Sequence, residues 1–244
     1  MSRDFSSGDS LEVAPQLLGK LLVRADGRAG RIIEVEAYRG QDDPASHAYR
    51  GPTRRTATMW GPPAHLYVYF TYGMHWCANV VCGPEGVAAA VLLRALEPVS
   101  GLEQMRTARW PDAFAPAVAG SGGAVGTAVL PSGASAAAAS GSVEGIRRPR
   151  AASGRGADRD LCRGPARLCQ ALGIDGSFDG ADLATASDGV WLADDGVAPP
   201  DAPAVTSRTG ISVATDVLWR WAYPDHPGVS PWRAGRSASS RLVP

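Results

Sequence analysis

The chain has 244 residues, with 24 basic and 24 acidic side chains and therefore no formal net charge. This balance excludes a surface that is strongly basic or acidic throughout, although a local basic footprint for nucleic acid is compatible with it. Four cysteines without paired C-x-x-C spacing argue against a structural zinc site and are typical of a reducing compartment. With no recognisable signal peptide and no apolar run of transmembrane length, we expect a cytoplasmic protein without a membrane segment.

The first predicted elements are a helix and two strands. SLEVAPQLLGKLLVR (10–24) carries Ser10 as a candidate N-cap and predicts a short helix that runs into a strand. The Asp-Gly turn in ADGRAG (25–30) separates that strand from RIIEVEAY (31–38), which predicts a second one. Because side chains alternate along a strand, we expect two faces: Ile33, Val35 and Ala37 on one, and Ile32, Glu34, Glu36 and Tyr38 on the other.

The middle of the chain predicts a hairpin and a buried strand. Residues 39–64 are rich in Gly, Pro, Asp and Arg and are expected to be mostly loop. HLYVYFTY (65–72) and MHWCANVVC (74–82) flank Gly73 and predict two hairpin strands. GVAAAVLLRALEP (86–98) is apolar enough for a central strand that stops at its proline, and a short helix is expected in GLEQMRTARW.

The composition changes between residues 111 and 157, where Ala, Gly and Ser dominate without any period. Such a segment has little to bury, so we predict a disordered insertion there. DRDLCRGPARLCQALGI (158–174) then predicts a helix with Pro165 in its first turn, and residues 189–194 and 205–212 are strand-like. The segments on either side of the insertion show no boundary, so we expect residues 1–244 to form a single domain of mixed α/β class.

The candidate functional residues lie between Glu34 and Arg94. The ordinary interpretation of the E-x-E pair in EVEAYRG (34–40) is a half-solvated strand with its carboxylates in water. Five of the six tyrosines, however, lie between residues 38 and 72, close to three of the four histidines. Arginines in the same window add charge for phosphate, and the set is typical of a stacking site for a planar ligand: Arg39, Arg50, Arg54 and Arg55. Tyr72, at the expected hairpin tip, would bury little in its own fold.

Several motifs together resemble those of the alkyladenine (3-methyladenine) DNA glycosylase family. They are RIIEVEAYRGQDDPASHAYRGPTRRTATMW, YVYFTYGMHWCANVV, LLRALEP and GPARLCQALGI. The resemblance runs from about residue 10 to 110 and from about 158 to 233, and the low-complexity insertion is not part of the family pattern. It implies an α+β fold: a curved, largely antiparallel β-sheet flanked by short helices, with a protruding β-hairpin.

The resemblance implies roles for four residues around the reacting bond. Glu36, the second glutamate of E-x-E-A-Y, would be the general base that activates the water attacking the anomeric carbon of a flipped nucleotide. The extruded base would stack between Tyr38 and Tyr69, where a cationic purine would gain from cation–π attraction. His47 would form the pocket wall.

Three further residues complete the implied site. Tyr72 would enter the duplex and fill the space that the flipped base leaves. Asn79 would line the base pocket, and Arg94, in the LLRALEP strand, would fix the base or its phosphate.

The implied function is a base excision repair enzyme that acts on double-stranded DNA containing alkylated or deaminated purines. It would flip the damaged purine, hydrolyse the N-glycosidic bond and leave an abasic site, as a monomer near the nucleoid and without metal or organic cofactor. Glycosylases that also nick the strand use an amine, and Lys20 is the only lysine in the chain. We therefore expect a monofunctional enzyme.

Other interpretations remain open from the residues alone. Glu34 could raise the pKa of its neighbour by repulsion or could pair with an arginine. A metal hydrolase could use His47, His65 and His75 with a glutamate, but these lack H-x-x-x-H or H-x-E spacing on one element. A non-catalytic damage-binding module would be marked by the loss of Glu36, which is present. CQALGIDG lacks the full Gly-rich pattern of a helix-hairpin-helix glycosylase.

Overall fold

The structure, a computed structural model, describes residues 1–111 and 158–231. Residues 112–157 of the predicted insertion and residues 232–244 of the tail lie outside the described residues. In the described ranges, eight strands form one curled sheet: β1 (Leu21–Arg24), β2 (Ala29–Tyr38), β3 (Leu66–Thr71), β4 (His75–Val81), β5 (Ala90–Ser100), β6 (Val190–Ala193), β7 (Ala204–Thr206) and β8 (Arg220–Ala222). Six of them follow the order β3-β4-β5-β2-β1-β6, while β8 pairs with β2 and β7, and every pairing is antiparallel. The expected mixed fold with a largely antiparallel sheet is confirmed.

Strand β2 is the centre of the sheet and carries both glutamates. One of its edges pairs with β5 over nearly the whole strand, while the other pairs first with β1 and then with β8. The register against β5 shifts on both sides of Glu34. Such irregularities change the face to which a side chain points. The predicted alternation is therefore wrong at its start: Ile32 joins Val35 and Ala37 in the main core, and Ile33 packs in a separate cluster.

Three α-helices of the described ranges pack around the sheet: α1 (Ser10–Leu17), α2 (Leu102–Arg109) and α3 (Pro165–Leu172). The N-cap of α1 is Asp9, whose carboxylate accepts from the N–H of Leu11, and not Ser10 as predicted. The Ser10 hydroxyl instead donates to the carbonyl of Tyr38. Helix α3 begins at its proline rather than at residue 158, because proline has no N–H and suits the first helical position.

Two strand boundaries also differ from the prediction. Strand β5 continues through Pro98 to Ser100, because β4 borders β5 only along Ala90–Leu92 and the proline needs no donor on that open edge. The strand expected at 205–212 is limited to Ala204–Thr206, and β8 was not predicted, since three residues are too short to show alternation.

The main core lies between the sheet and the helices, with Leu17 of α1 and Leu168 and Leu172 of α3 fully buried. Arg24 caps the C-terminus of α3: its Nη1 donates to the carbonyls of Leu172 and Gly173, at 2.8 Å each. In residues 1–111 and 158–231, no helix has the length and apolar character needed to cross a membrane.

Candidate active site

A cavity of about 480 Å³ opens beside the β3–β4 hairpin. Two loops, residues 44–47 and 209–213, form part of its other walls. The five side chains that the sequence predicted for a base pocket all line this cavity: Tyr38, His47, Tyr69, Asn79 and Arg94. Strand alternation explains part of this arrangement, because Tyr67, Tyr69 and Thr71 of β3 and Cys77 and Asn79 of β4 face the same space.

Glu36 lies behind the cavity wall, with no exposed surface. Its Oε1 accepts from the backbone N–H of Thr209 at 2.7 Å and lies 3.1 Å from Nη1 of Arg94. Its Oε2 accepts from the Tyr38 hydroxyl at 3.0 Å. A carboxylate oxygen has two lone pairs, so Oε2 keeps one acceptor position among these contacts whereas Oε1 has two donors.

The environment of Glu36 changes its acidity. Burial raises the pKa of Glu36 above its ordinary value, and nearby Glu34 adds to this effect. Arg94, the N–H of Thr209 and the Tyr38 hydroxyl oppose it. A carboxylate with a raised pKa is a stronger base than one in water.

Glu34 is also fully buried, so the interpretation of a solvated E-x-E strand is wrong. Its Oε1 accepts from Nε of Arg94 at 2.7 Å and from Nε of Arg220 at 2.8 Å, and its Oε2 accepts from the N–H of Ser230. Burial would raise the pKa of Glu34, but the two arginines outweigh burial and hold the pKa below its usual range. Both effects considered for Glu34 are present: it pairs with arginine, and it contributes to the raised pKa of Glu36.

Arg94 joins the two carboxylates, because its Nε contacts Glu34 and its Nη1 contacts Glu36. The predicted role for Arg94 was to fix the base or its phosphate. In the structure its guanidinium is committed to the two glutamates, although the side chain still borders the cavity. The main contacts of the Arg94 guanidinium are therefore with the two carboxylates. A ligand in the cavity could contact only the portion of the side chain that lines it.

The aromatic walls are arranged at fixed angles. The rings of Tyr67 and Tyr69 are stacked, with centroids 5.5 Å apart, and His47 meets Tyr69 edge-on at 4.5 Å. His47 Nδ1 lies 3.3 Å from the Tyr67 hydroxyl. Burial and the nearby Arg55 lower the pKa of His47, so its imidazole is neutral at neutral pH. Tyr67 was not assigned to the site, although the YVY alternation already placed it on the face of Tyr69.

The tip of the hairpin presents Tyr72 to solvent, with 79% of its surface exposed. The N–H of Met74 donates to the carbonyl of Thr71, and φ is +52° at Tyr72 and +68° at Gly73. These are the φ signs of a type I′ turn, which normally takes Asn-Gly. A left-handed conformation at a non-glycine residue costs on the order of 1–3 kcal/mol. The turn therefore exposes the Tyr72 ring in spite of a strained backbone at that residue.

Two contacts, one with Tyr38 and one with Glu36, come from residues that the sequence did not single out. Arg208 and Asp43 form a fully buried ion pair, and the Arg208 guanidinium lies 4.6 Å from the ring centroid of Tyr38. Thr209, the next residue, supplies the N–H on Glu36. The separation of 165 residues between the two partners left no local pattern by which the pair could be recognised.

The three histidines of the metal-hydrolase alternative do not converge. His47 belongs to the cavity, whereas His65 contacts Arg3 and the carbonyls of two prolines, and His75 is an exposed hairpin residue. Within the described ranges, no three His, Cys, Asp or Glu side chains come together as a group that could hold a metal ion.

Comparisons with known proteins agree with the resemblance seen in the motifs. The family model described as methylpurine-DNA glycosylase (MPG) matches residues 4–227. A relative from Burkholderia cenocepacia (strain HI2424), named provisionally as a 3-methyladenine DNA glycosylase, is 51% identical over 93% of this chain and 89% of its own. A relative of the same provisional name from Streptomyces avermitilis is 41% identical over 96% of this chain and 92% of its own. The chain belongs to the methylpurine-DNA glycosylase family.

Proposed function

We propose that this protein is a monofunctional DNA glycosylase of base excision repair, which hydrolyses the N-glycosidic bond of damaged purines of the 3-methyladenine class. Family membership and the names of the relatives support the reaction and the DNA substrate. The observation that carries the assignment of roles is the placement of Glu36. It is a buried carboxylate held by three donors directly behind an aromatic cavity.

The cavity suits a purine that has left the duplex. A stacked base cannot be reached in place, so the nucleotide must be extruded at a cost of a few kcal/mol. Tyr38 and Tyr69 offer faces for stacking, and Asn79 donates its amide hydrogen to the carbonyl of Tyr67, which leaves its oxygen as an acceptor. Alkylated purines with a positive charge gain about 0.5–2 kcal/mol from such aromatic faces. We therefore place the damaged base in this cavity.

Bond cleavage then needs charge stabilisation and a nucleophile. As the C–N bond breaks, its electron pair leaves with the purine and the sugar gains oxocarbenium character, which the negative Glu36 stabilises. Water adds to the anomeric carbon while one of its protons passes to Oε2 of Glu36, the oxygen with a free acceptor position. Because Glu36 has no exposed surface, the entering nucleotide must first displace the side chains that separate its carboxylate from the cavity. The products are the free purine and an abasic site, and the strand stays intact.

A panel of duplexes tests the proposal. Each duplex carries one 3-methyladenine, 7-methylguanine, hypoxanthine or ethenoadenine, and the release of free base is measured in a single turnover with excess protein. We expect release from at least one duplex, with an abasic site that breaks only on treatment with alkali. Binding of all duplexes without release of any base would favour the non-catalytic damage-binding module instead.

Tyr72→Ala is expected to weaken excision from paired lesions more than from mispaired or single-stranded ones. Stacking on an aromatic side chain contributes about 1–3 kcal/mol per base, so roughly a 5- to 150-fold loss is expected for the paired lesion. Parallel single-turnover rates on the three substrates measure the difference. Tyr49→Ala is the control, because this tyrosine is also exposed but lies outside the hairpin. Equal losses on paired and unpaired substrates would remove the wedge role from Tyr72.

Lys20→Ala is expected to leave excision unchanged and to reveal no strand-nicking activity. The Lys20 amine is 2.7 Å from a carboxylate oxygen of Asp194 and does not line the cavity. An amine outside the cavity is not positioned to attack the sugar of a base in the pocket. Denaturing gels of the product strand, run without alkali, are the measurement. Strand breaks with the wild-type protein that disappear in the variant would contradict the monofunctional assignment.

A further inference from the structure

The Asp43–Arg208 ion pair lies directly behind the cavity wall, and neither side chain has any exposed surface. The Nη2 of Arg208 donates to Oδ1 of Asp43 at 2.8 Å, and Nη1 donates to Oδ2 and to the carbonyl of Ala37. This fork of bonds sets the plane of the guanidinium. The orientation of Arg208 is therefore set by Asp43 and Ala37, which lie far from it in the sequence.

The same guanidinium supports Tyr38. Its carbon lies 4.6 Å from the ring centroid of Tyr38 and 5.0 Å from that of Trp219. Tyr38 borders the cavity whereas Arg208 does not, so the arginine occupies the side of the ring away from the cavity. A ring held from behind presents its hydroxyl to Glu36 and its free face to the cavity.

Each partner of the pair also fixes one loop of the cavity. Asp43 accepts from the backbone N–H groups of Ala45 and Arg39, which shapes the loop leading to His47. Arg208 immediately precedes Thr209, whose N–H donates to Glu36. One ion pair thus connects the loop of His47, the ring of Tyr38 and the amide on the catalytic carboxylate.

We propose that Asp43 and Arg208 are positioning residues for base excision, which together hold the Tyr38 hydroxyl and the Thr209 N–H on the carboxylate of Glu36. The proposal rests on the proposed function, because it assigns the pair to the reaction and not only to folding. Neither residue touches the reacting atoms.

The proposal has a consequence for the pH dependence of excision. Glu36 faces charged and titratable groups from every element packed against it. Its own strand supplies Glu34 and Tyr38, and the neighbouring strands supply Arg94 from β5 and Tyr69 from β3. Arg220 is its cross-strand partner on β8, and the loop after β7 supplies the N–H of Thr209. The Tyr38 hydroxyl and the Thr209 N–H both lower the pKa of Glu36. Loss of their alignment therefore raises the pKa of Glu36 further, and the acid limb of the pH–rate profile moves to higher pH.

The experiment compares Arg208→Met, Arg208→Lys, Asp43→Asn and the double variant Asp43→Asn with Arg208→Met. The substrate is the duplex of the panel that the wild-type protein cleaves fastest. In Arg208→Met we expect the single-turnover rate constant at neutral pH to fall on the order of 10²-fold, as for misplaced catalytic groups. The acid limb of the pH–rate profile should also move to higher pH. Arg208→Lys keeps the charge without the planar fork and should recover only part of the rate.

The double variant separates positioning from stability. Each single neutralisation leaves one buried charge unpaired, whereas the double variant removes both charges and should recover thermal stability. If the pair holds the donors on Glu36, the double variant recovers its stability, but its excision rate stays low and its acid limb stays displaced. Arg24→Met is the matched control, since this arginine holds the end of α3 away from the cavity and should change stability alone.

The opposite outcomes overturn the proposal. Recovery of both stability and rate in the double variant would make the pair purely structural. An unshifted acid limb, or a loss of rate no larger than in Arg24→Met, would lead to the same conclusion. A wild-type protein that releases no base from any duplex would instead contradict the proposed function itself.

Discussion

Glu36→Gln is expected to slow single-turnover excision by about 10²- to 10⁴-fold while the affinity for a lesion-bearing duplex stays nearly unchanged. Glutamine has the shape of glutamate, and its oxygen still accepts from the N–H of Thr209 and from Arg94. What it loses is the negative charge that stabilises the sugar cation and the base that takes the proton of water. The rate loss should therefore lie in the chemical step and not in binding.

The control for this variant is Glu97→Gln, which changes the same chemical group at an exposed position of β5. Rates are measured with protein in excess, binding by titration of the labelled duplex, and folding by thermal unfolding. Wild-type excision by Glu36→Gln would exclude Glu36 as the general base. Loss of binding in parallel with excision would instead assign Glu36 to the shape of the site.

The pH dependence of the wild-type rate follows from the same contacts. Burial raises the pKa of Glu36, and the base works only without its proton. Excision should therefore rise with pH through a limb that lies above the ordinary value of 4.5 for glutamate. Glu36→Gln should lose this limb, because no group remains at that position to titrate.

The sequence was sufficient for the parts of the site that lie on regular strands. Alternation along β3 and β4 brings Tyr69 and Asn79 to one face, and the turn at Gly73 exposes Tyr72. Short-range geometry determines these placements in β3 and β4, so they can be read from spacing. Glu36 and Tyr38 were indicated instead by the resemblance of the E-x-E-A-Y motif to the family.

The parts that could not be predicted depend on long-range contacts. Arg208 meets Asp43 across 165 residues, and Arg220 meets Glu34 across 186. Strand β8, which carries Arg220, is too short for a periodic signal. The shift of register beside Glu34 likewise arises from pairing with β5 and not from the local sequence. Buried charges need such distant partners, and a single sequence does not show which arginine supplies them.

Glu34→Gln is expected to lower the free energy of unfolding by about 3–5 kcal/mol, the usual cost of removing one partner from a buried ion pair. Glu34 is fully buried and accepts from Arg94 and Arg220, so its loss leaves two buried guanidinium groups with Glu36 as the remaining carboxylate of the cluster. Denaturant unfolding at neutral pH measures the difference. The double variant Glu34→Gln with Arg220→Met restores the charge balance and should recover part of the loss.

The acid dependence of that difference identifies its cause. Because the arginines hold the pKa of Glu34 below its usual range in the folded protein, its contribution is fully present above the unfolded pKa near 4.5 and is lost as pH falls through the lowered value. The gap in stability between wild type and Glu34→Gln should therefore narrow in acid. A gap that is small at neutral pH, or one that stays constant in acid, would contradict the ion-pair role. A gap that behaves as expected would mean that ionised Glu34 stabilises the fold through its two arginines, one of which, Arg94, also contacts Glu36 through Nη1.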